Sequence, residues 1–171
     1  MKTLTVMRHA KSSWDDPGLN DFDRPLNARG RKSARGMGKE LKHRGFKFDQ
    51  VIASPAMRVR ETLNDFADGY GQKLEIEFRP EIYESTVDRL LRLVREIPES
   101  VTAPLLVGHN PGLQELLVEL THDDSDKHRH RISGKFPTAA VAIVRFPAAR
   151  WSDIEPDSGE IAELIVPKDL D

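Results

Sequence analysis

Val6-Met7-Arg8-His9-Ala10 is the end of an apolar segment followed at once by two basic side chains. Ile52-Ala53-Ser54-Pro55 leads to Arg58 with the same layout, and Leu106-Val107-Gly108 leads to His109. In an open α/β sheet, ligands bind at the carboxyl ends of the strands, where helix N-termini present free N–H groups. If the three apolar segments are aligned strands, two arginines and two histidines meet at one edge of the sheet. The sequence therefore predicts an anion site there.

The whole chain alternates between short strand-like segments and amphipathic helical patterns. The strand-like segments are rich in Val, Ile and Leu: Thr3–Met7, Gln50–Ala53, Leu74–Phe78, Leu105–Val107, Ala139–Phe146 and Ile161–Val166. Apolar stripes of helical spacing run over Ala34–Leu41, Val59–Ala67, Val87–Val94 and Leu113–Leu120. The alternation predicts an α/β sheet covered on both faces. Because two strands follow each other closely near the C-terminus, we expect a mixed, mostly parallel sheet.

Capping residues predict where the helices begin and end. Candidate N-caps precede the four stripes in turn at Asn27, Ser54-Pro55, Ser85 or Thr86, and Asn110-Pro111. Gly45 predicts the end of the first helix.

Composition limits the class of protein. A length of 171 residues predicts one domain over residues 1–171, and 38% hydrophobic with 32% charged residues is typical of a globular protein. No apolar run approaches the length of a membrane span, and the N-terminus shows no secretory signal. The absence of cysteine excludes disulfides and thiolate metal sites and fits a cytoplasmic protein. A net charge of -2 gives no general attraction for nucleic acid or anionic lipid, so we expect neither partner.

The residue types at the predicted edge suit phosphoryl transfer to histidine. A neutral His9 is a nucleophile if one ring nitrogen is free and the other is held by a hydrogen bond. Arg8 and Arg58 would neutralise a phosphoryl dianion and clamp its oxygens, and a protonated His109 would add positive charge in the transition state. Water would then hydrolyse the phosphohistidine, with no metal or cofactor required. Taken singly, these residues have ordinary explanations as a surface pair, a helix residue and a tight turn, but their coincidence at three strand ends favours an enzyme.

Four motifs also resemble a known family. Arg8–Trp14 (RHAKSSW), Asp23–Gly30 (DRPLNARG), Ser54–Thr62 (SPAMRVRET) and Gly108–Pro111 (GHNP) occur in the order and spacing of the histidine phosphatase superfamily. The first motif is similar to that of the small SixA-like phosphohistidine phosphatases. Together the motifs cover the chain from Thr3 to about Leu120.

This resemblance implies a fold, an activity and a set of site residues. The fold is a three-layer α/β/α sandwich of the phosphoglycerate mutase type. The activity is a metal-independent phosphatase with His9 as phosphoryl acceptor and Arg8, Arg58 and His109 as the phosphate pocket. Its substrate would be phosphohistidine in a protein. Arg24 lies in a family-like segment and either touches the phosphate or holds its loop through Asp23.

The general acid of larger family members has no clear equivalent. Glu84 and Glu81 are the candidates, and we include Glu84 with Arg24 as a possible substrate-binding residue, although a carboxylate just before a helix also has a structural explanation. The chain is too short to include the large inserted lid with which mutases enclose a phosphosugar. An open site suits a phosphate that is presented on a protein surface. Two alternatives stay open: a small-molecule phosphomonoesterase that uses Glu84 or Glu81 as acid, and a non-catalytic module that binds phosphate.

Two further features can be explained without a catalytic role. The tract His122–Arg131 is rich in histidine and aspartate but lacks metal-ligand spacing, so we expect a solvated loop. Trp14 either lines the mouth of the pocket or packs a loop.

Overall fold

A computed structural model describes residues 1–122 and 127–170 of the chain. Its centre is one six-stranded sheet whose strands lie in the order β3-β2-β4-β1-β5-β6. The strands are β1 (Lys2–Arg8), β2 (Gln50–Ala53), β3 (Ile76–Phe78), β4 (Pro104–Gly108), β5 (Val141–Phe146) and β6 (Glu160–Ile165). All six lie within the predicted segments or within one residue of them.

The sheet is mixed, as predicted. β1 is parallel to β4, β4 to β2 and β2 to β3, whereas β5 is antiparallel to both β1 and β6. The chain enters β5 from the carboxyl edge of the parallel strands, where the Ala139 N–H donates to the Arg8 carbonyl at 3.1 Å. β5 therefore has to run back down the sheet. This entry also places the segment before β5 beside the end of β1.

Among the described residues, five α-helices connect and cover the strands. They are α1 (Ala28–His43), α2 (Met57–Tyr70), α3 (Val87–Arg95), α4 (Gly112–Leu120) and α5 (Lys127–Gly134). Asn27 caps α1 as predicted, since its side chain accepts from the Gly30 N–H at 2.8 Å. Gly45 follows the end of α1 with a φ of 83°, a left-handed conformation that suits glycine. Thr86 caps α3 through the Arg89 N–H at 3.3 Å.

The predicted N-cap lies two residues too early for α2 and one residue too early for α4. α2 is preceded by Ala56, which makes no side-chain cap, and α4 by Pro111. Ser54 instead contacts His109, and the Asn110 amide donates to the Phe136 carbonyl at 2.8 Å. Both polar side chains thus contact distant segments, and Ser54 in addition accepts from the Ala56 N–H at 3.2 Å, just before α2.

Alternate side chains of the sheet pack into two cores. Leu4 and Val6 of β1 lie in one core, beneath α3, α4 and α5, whereas Met7 lies in the other, beneath α1 and α2. The opposite orientation of successive side chains in a strand accounts for this division. The result is the three-layer α/β/α arrangement that the sequence predicts.

The histidine-rich tract differs from the expected loop. Its second half lies in α5, where Arg129 and Ile132 are buried and the Arg129 guanidinium donates to the Val118 carbonyl at 3.3 Å. Residues 123–126 of the tract lie outside the described residues. Within residues 1–122 and 127–170, no group of His, Asp and Glu side chains could hold a metal, and no helix is long and apolar enough to cross a membrane.

Candidate active site

A cavity of about 310 Å³ opens at the carboxyl ends of β1 and β4. It is lined by Arg8, His9, Lys11, Ser12, Trp14, Arg24, Arg58, His109, Asn110 and Thr138. The structure thus brings together all four side chains predicted to be catalytic, and Arg24 with them.

The register of the two strands sets the two histidines side by side. Arg8 pairs with Gly108 across β1 and β4, and the His9 N–H donates to the Gly108 carbonyl at 3.0 Å. His9 and His109 therefore leave neighbouring parallel strands at the same level. Their ring centroids are 5.2 Å apart.

One ring nitrogen of His9 is fixed by the backbone. Nδ1 lies 2.7 Å from the Ala10 carbonyl oxygen. A carbonyl oxygen can only accept, so Nδ1 carries the hydrogen and Nε2 keeps its lone pair. The Ala10 N–H in turn donates to the Thr62 hydroxyl at 2.9 Å, which anchors this turn to α2. His9 has the tautomer that a nucleophilic Nε2 requires.

The surroundings of His9 keep its ring neutral. Burial lowers its pKa most, the bond to Ala10 opposes this, and the charges of Arg58 and Arg8 lower it further, so that the pKa is about 3. At neutral pH the imidazole is uncharged and its Nε2 lone pair is available.

The two ring nitrogens of His109 differ in their hydrogen bonding. Its Nε2 lies 2.7 Å from the Ser54 hydroxyl oxygen, whereas its buried Nδ1 has no hydrogen-bond partner among the described residues. Burial and the charge of Arg58 lower the pKa of His109 to about 4, although Asp21 acts in the opposite direction. A pKa of about 4 keeps the ring neutral at pH 7, whereas the sequence analysis considered a protonated His109.

Both arginines of the predicted clamp keep a donor unused. The Nε atoms of Arg8 and Arg58 are buried and lack partners among the described residues. The remaining bonds of these guanidinium groups go to backbone and carboxylate oxygens, including Arg8 Nη1 to the Phe136 carbonyl at 3.3 Å. Buried N–H donors without acceptors are costly, and an anion with several oxygens would satisfy them.

Asp21 is a site residue that the sequence analysis missed. Its carboxylate lies 3.1 Å from Arg58 Nη2 and 3.1 Å from Arg24 Nη2, and it accepts from the Tyr83 hydroxyl at 2.6 Å. Its carbonyl oxygen also accepts from Arg58 Nη1 at 2.8 Å. The Tyr83 hydroxyl contributes most to lowering the pKa of Asp21 to about 2, and Arg58 and Arg24 add to it against the cost of burial. Asp21 is therefore a carboxylate that orients both arginines.

Arg24 lines the cavity and also makes contacts that hold its own loop. Its guanidinium contacts Asp21, not Asp23, and donates to the Ser12 hydroxyl at 2.8 Å. The same group lies 3.6 Å above the ring of Trp14. Trp14 lines the mouth of the cavity, which decides between its two sequence interpretations.

The structure does not bring either glutamate to the cavity. Glu81 is exposed and forms an ion pair with Arg79 at 2.8 Å, which lowers its pKa. Glu84 is exposed and adopts a left-handed backbone with a φ of 51°. Neither carboxyl group lines the cavity. From the same segment, the ring of Tyr83 packs edge-on against His109, with 5.5 Å between the ring centroids.

The sequence also matches a known protein family. Residues 4–103 match the model of the histidine phosphatase superfamily, branch 1. The chain belongs to this superfamily. An uncharacterized protein of Mycobacterium leprae is 32% identical to it over 166 residues, which cover 95% of this chain and 100% of that protein.

Proteins designated SixA are also similar to this member of the histidine phosphatase superfamily. The phosphohistidine phosphatase SixA of Escherichia coli is 27% identical over 143 residues, 81% of this chain and 82% of that protein. A solved structure that carries the SixA designation, from Nakamurella multipartitia, superposes with a TM-score of 0.84 at 27% identity. That superposition covers 97% of this chain and 96% of the other. The α/β fold is therefore that of the SixA-like histidine phosphatases.

Proposed function

We propose that this chain is a phosphatase that removes the phosphoryl group from phosphohistidine in a protein, with His9 as covalent acceptor. The observation that carries the proposal is the fixed tautomer of His9, whose Nδ1–H donates a hydrogen bond to the Ala10 carbonyl. The buried Nε donors of Arg8 and Arg58, which have no partner among the described residues, belong to the same site. Because both cores border the same sheet, we also propose that the chain acts as one domain.

In the first step, the lone pair of His9 Nε2 attacks phosphorus in line with the substrate P–N bond. A new P–N bond forms to Nε2 while the substrate P–N bond breaks and leaves its electron pair on the departing imidazole. A substrate imidazole that is protonated on its other nitrogen departs as a neutral ring. The Nε donors of Arg8 and Arg58 stabilise the oxygens of the transferred group.

In the second step, water attacks the phosphorus of phospho-His9. A P–O bond forms, the P–Nε2 bond breaks, and the electron pair returns to the ring. One proton of the water passes to a phosphate oxygen and the other stays on the new P–O group, so that dihydrogen phosphate is released. His109 contributes through Nδ1, which lacks a partner in the described residues. A bound dianion raises the pKa of His109, so the ring gains its proton when the negative charge is present.

The position of the acidic side chains favours phosphohistidine over an alkyl phosphate. An alkoxide leaving group needs a proton donor, which the rival small-molecule esterase would take from Glu84 or Glu81. Both lie outside the cavity lining, and Asp21, with a pKa of about 2, is ionised. An imidazole leaving group needs no such donor. The designation of the E. coli relative as a phosphohistidine phosphatase supports the same choice.

A direct test compares turnover of a histidine-phosphorylated protein with a panel of alkyl and aryl phosphates, measured as released phosphate. We expect the phosphohistidine protein to have the highest kcat/KM. A marked preference for an alkyl ester would instead establish the small-molecule esterase. Binding of phosphate without turnover of any substrate would indicate a binding module.

A further inference from the structure

The large apolar side chains exposed on the described residues are concentrated in the loop that begins at the cavity-lining Trp14 and at the start of α2. Apart from Met1, they are Trp14, Leu19, Phe22 and Met57. Trp14 is 76% exposed, although an indole ring is among the largest apolar groups in proteins. Isolated exposed apolar residues are ordinary, but several around one cationic pocket indicate a binding surface.

Three of these side chains belong to one loop that is attached to the cavity at both ends. The loop between Trp14 and Arg24 starts and finishes at residues that line the cavity. Its ends are joined by the Arg24–Trp14 stacking contact and by the Ser13 N–H, which donates to the Pro25 carbonyl at 2.8 Å. Leu19 and Phe22 therefore lie on a loop closed at the cavity mouth.

The remaining side chain reaches the same region from α2. Met57 is the first residue of α2 and directly precedes Arg58, which bonds to Asp21 in the loop. Phe22 packs edge-on against Tyr83 at 5.1 Å, and Tyr83 packs against His109. We call the four side chains Trp14, Leu19, Phe22 and Met57 the apolar rim.

We propose that the apolar rim docks the protein that carries the phosphohistidine, by contact with apolar side chains around the phosphorylated residue. This inference rests on the proposed function and adds the surface that selects a protein over a small phosphate ester. The cavity supplies positive charge for the phosphoryl dianion, and the rim supplies apolar area around it. A free amino acid or an alkyl phosphate has little apolar surface outside its phosphate with which to contact Met57 and Leu19.

The kinetic test uses the double variant Leu19→Asn/Met57→Gln, whose two side chains do not line the cavity. The substrates are a histidine-containing phosphotransfer domain phosphorylated with phosphoramidate, and free phosphohistidine. We expect kcat/KM for the phosphorylated domain to fall about tenfold, mainly through KM, because the loss of two interface contacts weakens docking. We expect kcat/KM for free phosphohistidine to change less than about twofold.

Ser100→Asn provides the matched control. Ser100 is exposed and precedes β4, at the edge of the sheet opposite the cavity, so this variant should match the parent on both substrates. Equal loss on both substrates, or no loss on the phosphorylated domain, would overturn docking at the rim while leaving the proposed function in place. A parent that hydrolyses esters but neither phosphohistidine substrate would instead overturn the proposed function, and the docking inference with it.

Tryptophan emission gives a second readout that does not depend on turnover. The chain has two tryptophans, and Trp151 is fully buried, so a change in solvent exposure reports Trp14. In a His9→Ala background, we expect the phosphorylated domain to shift the emission to shorter wavelength, and free phosphate to leave it unshifted. A Trp14→Phe variant should lose the shift. Absence of a shift at saturating phosphorylated domain would contradict burial of the rim.

Discussion

Asp21 holds Arg58 by two bonds, one from Nη2 to its carboxylate at 3.1 Å and one from Nη1 to its carbonyl oxygen at 2.8 Å. The arginine is nearly buried, whereas the Asp21 side chain is about half exposed. The two bonds fix the plane of the guanidinium and leave Nε directed to no protein acceptor among the described residues. A carboxylate at the mouth thus orients the clamp while reducing the positive charge of the cavity.

Asp21→Asn should separate these two effects. The amide keeps the carbonyl bond from Arg58 but loses the negative charge, so we expect kcat to fall about tenfold through poorer orientation. The cavity becomes more positive, so inorganic phosphate should inhibit severalfold more strongly. Steady-state kinetics with phosphate as inhibitor measure both. A variant with unchanged kcat would show that Arg58 needs no carboxylate for its orientation.

His9 and His109 should differ sharply when each is replaced by alanine. His9→Ala removes the atom that forms the P–N bond, so turnover should vanish. His109→Ala removes hydrogen bonding and charge only, and should leave transfer slower by roughly 10²–10³-fold. Trapped parent enzyme should carry an acid-labile label on His9. Recovery of an acid-stable phosphoester would contradict the mechanism.

Apolar periodicity was sufficient to predict the sheet and the four longest helical patterns. The strands β2 and β4 are short and mostly buried, and apart from Gln50 their sequences are apolar, whereas in β1 the buried apolar residues are interrupted by Thr5. Each ends at a polar residue because the chain leaves the core there. The same rule placed His9, Arg58 and His109 at one edge.

Local patterns could not predict Asp21 or the helix starts at α2 and α4. The partners of Asp21 are 37 residues away at Arg58 and 62 residues away at Tyr83, so its role exists only after the loop folds back. The sequence analysis considered only Asp23 as a carboxylate partner of Arg24, whereas the structure pairs Arg24 with Asp21. Ser and Asn are common N-cap residues, but the Ser54 side chain contacts His109 and the Asn110 side chain donates to the Phe136 carbonyl.

The two cavity histidines should not titrate in the ordinary range. Their pKa values of about 3 for His9 and about 4 for His109 lie below the unfolded value of about 6.5. In an NMR titration of the ring nitrogens, neither should show an inflection between about pH 5 and 8. Added phosphate should raise the pKa of His109. An inflection of either free ring near 6.5 would contradict its burial.

The same shifts predict how stability depends on pH. Between about pH 6.5 and the lower folded values, the unfolded chain binds more protons than the folded one, so stability should fall as the pH falls through this range. Urea unfolding of the parent and of His9→Asn at several pH values measures it. The variant should lose less stability on acidification.

Gly38 lies at a close approach of α1 to α2. A Cβ atom there would collide with the Phe66 carbonyl oxygen, whereas a Cβ at Gly36 of the same helix meets nothing within 4 Å. Gly38→Ala should therefore destabilise the protein by roughly 1–3 kcal/mol. Gly36→Ala should stabilise it by about 0.5–1 kcal/mol through helix propensity. Thermal unfolding of the pair measures both, and equal effects would show that the helices can move apart.

Glu84 and Glu81 are the carboxylic acids that the alternative esterase would use. Glu84→Gln and Glu81→Gln each remove a proton donor while keeping the size of the side chain. Because both carboxyl groups lie outside the cavity lining, neither change should reduce kcat/KM on phosphohistidine or on an aryl phosphate by more than about twofold. Both leaving groups depart without a donated proton.

Alkyl phosphates make this comparison decisive. If either glutamate acts as a general acid after movement of its segment, its glutamine variant should lose roughly 10²–10⁴-fold on an alkyl ester that the parent hydrolyses well. Glu81 would first have to leave its ion pair with Arg79. Such a loss, confined to alkyl esters and to one variant, would establish the small-molecule esterase. A parent with little activity on alkyl esters, and two variants that match it on phosphohistidine, would support the protein-directed phosphatase, because an imidazole leaving group makes no use of either acid.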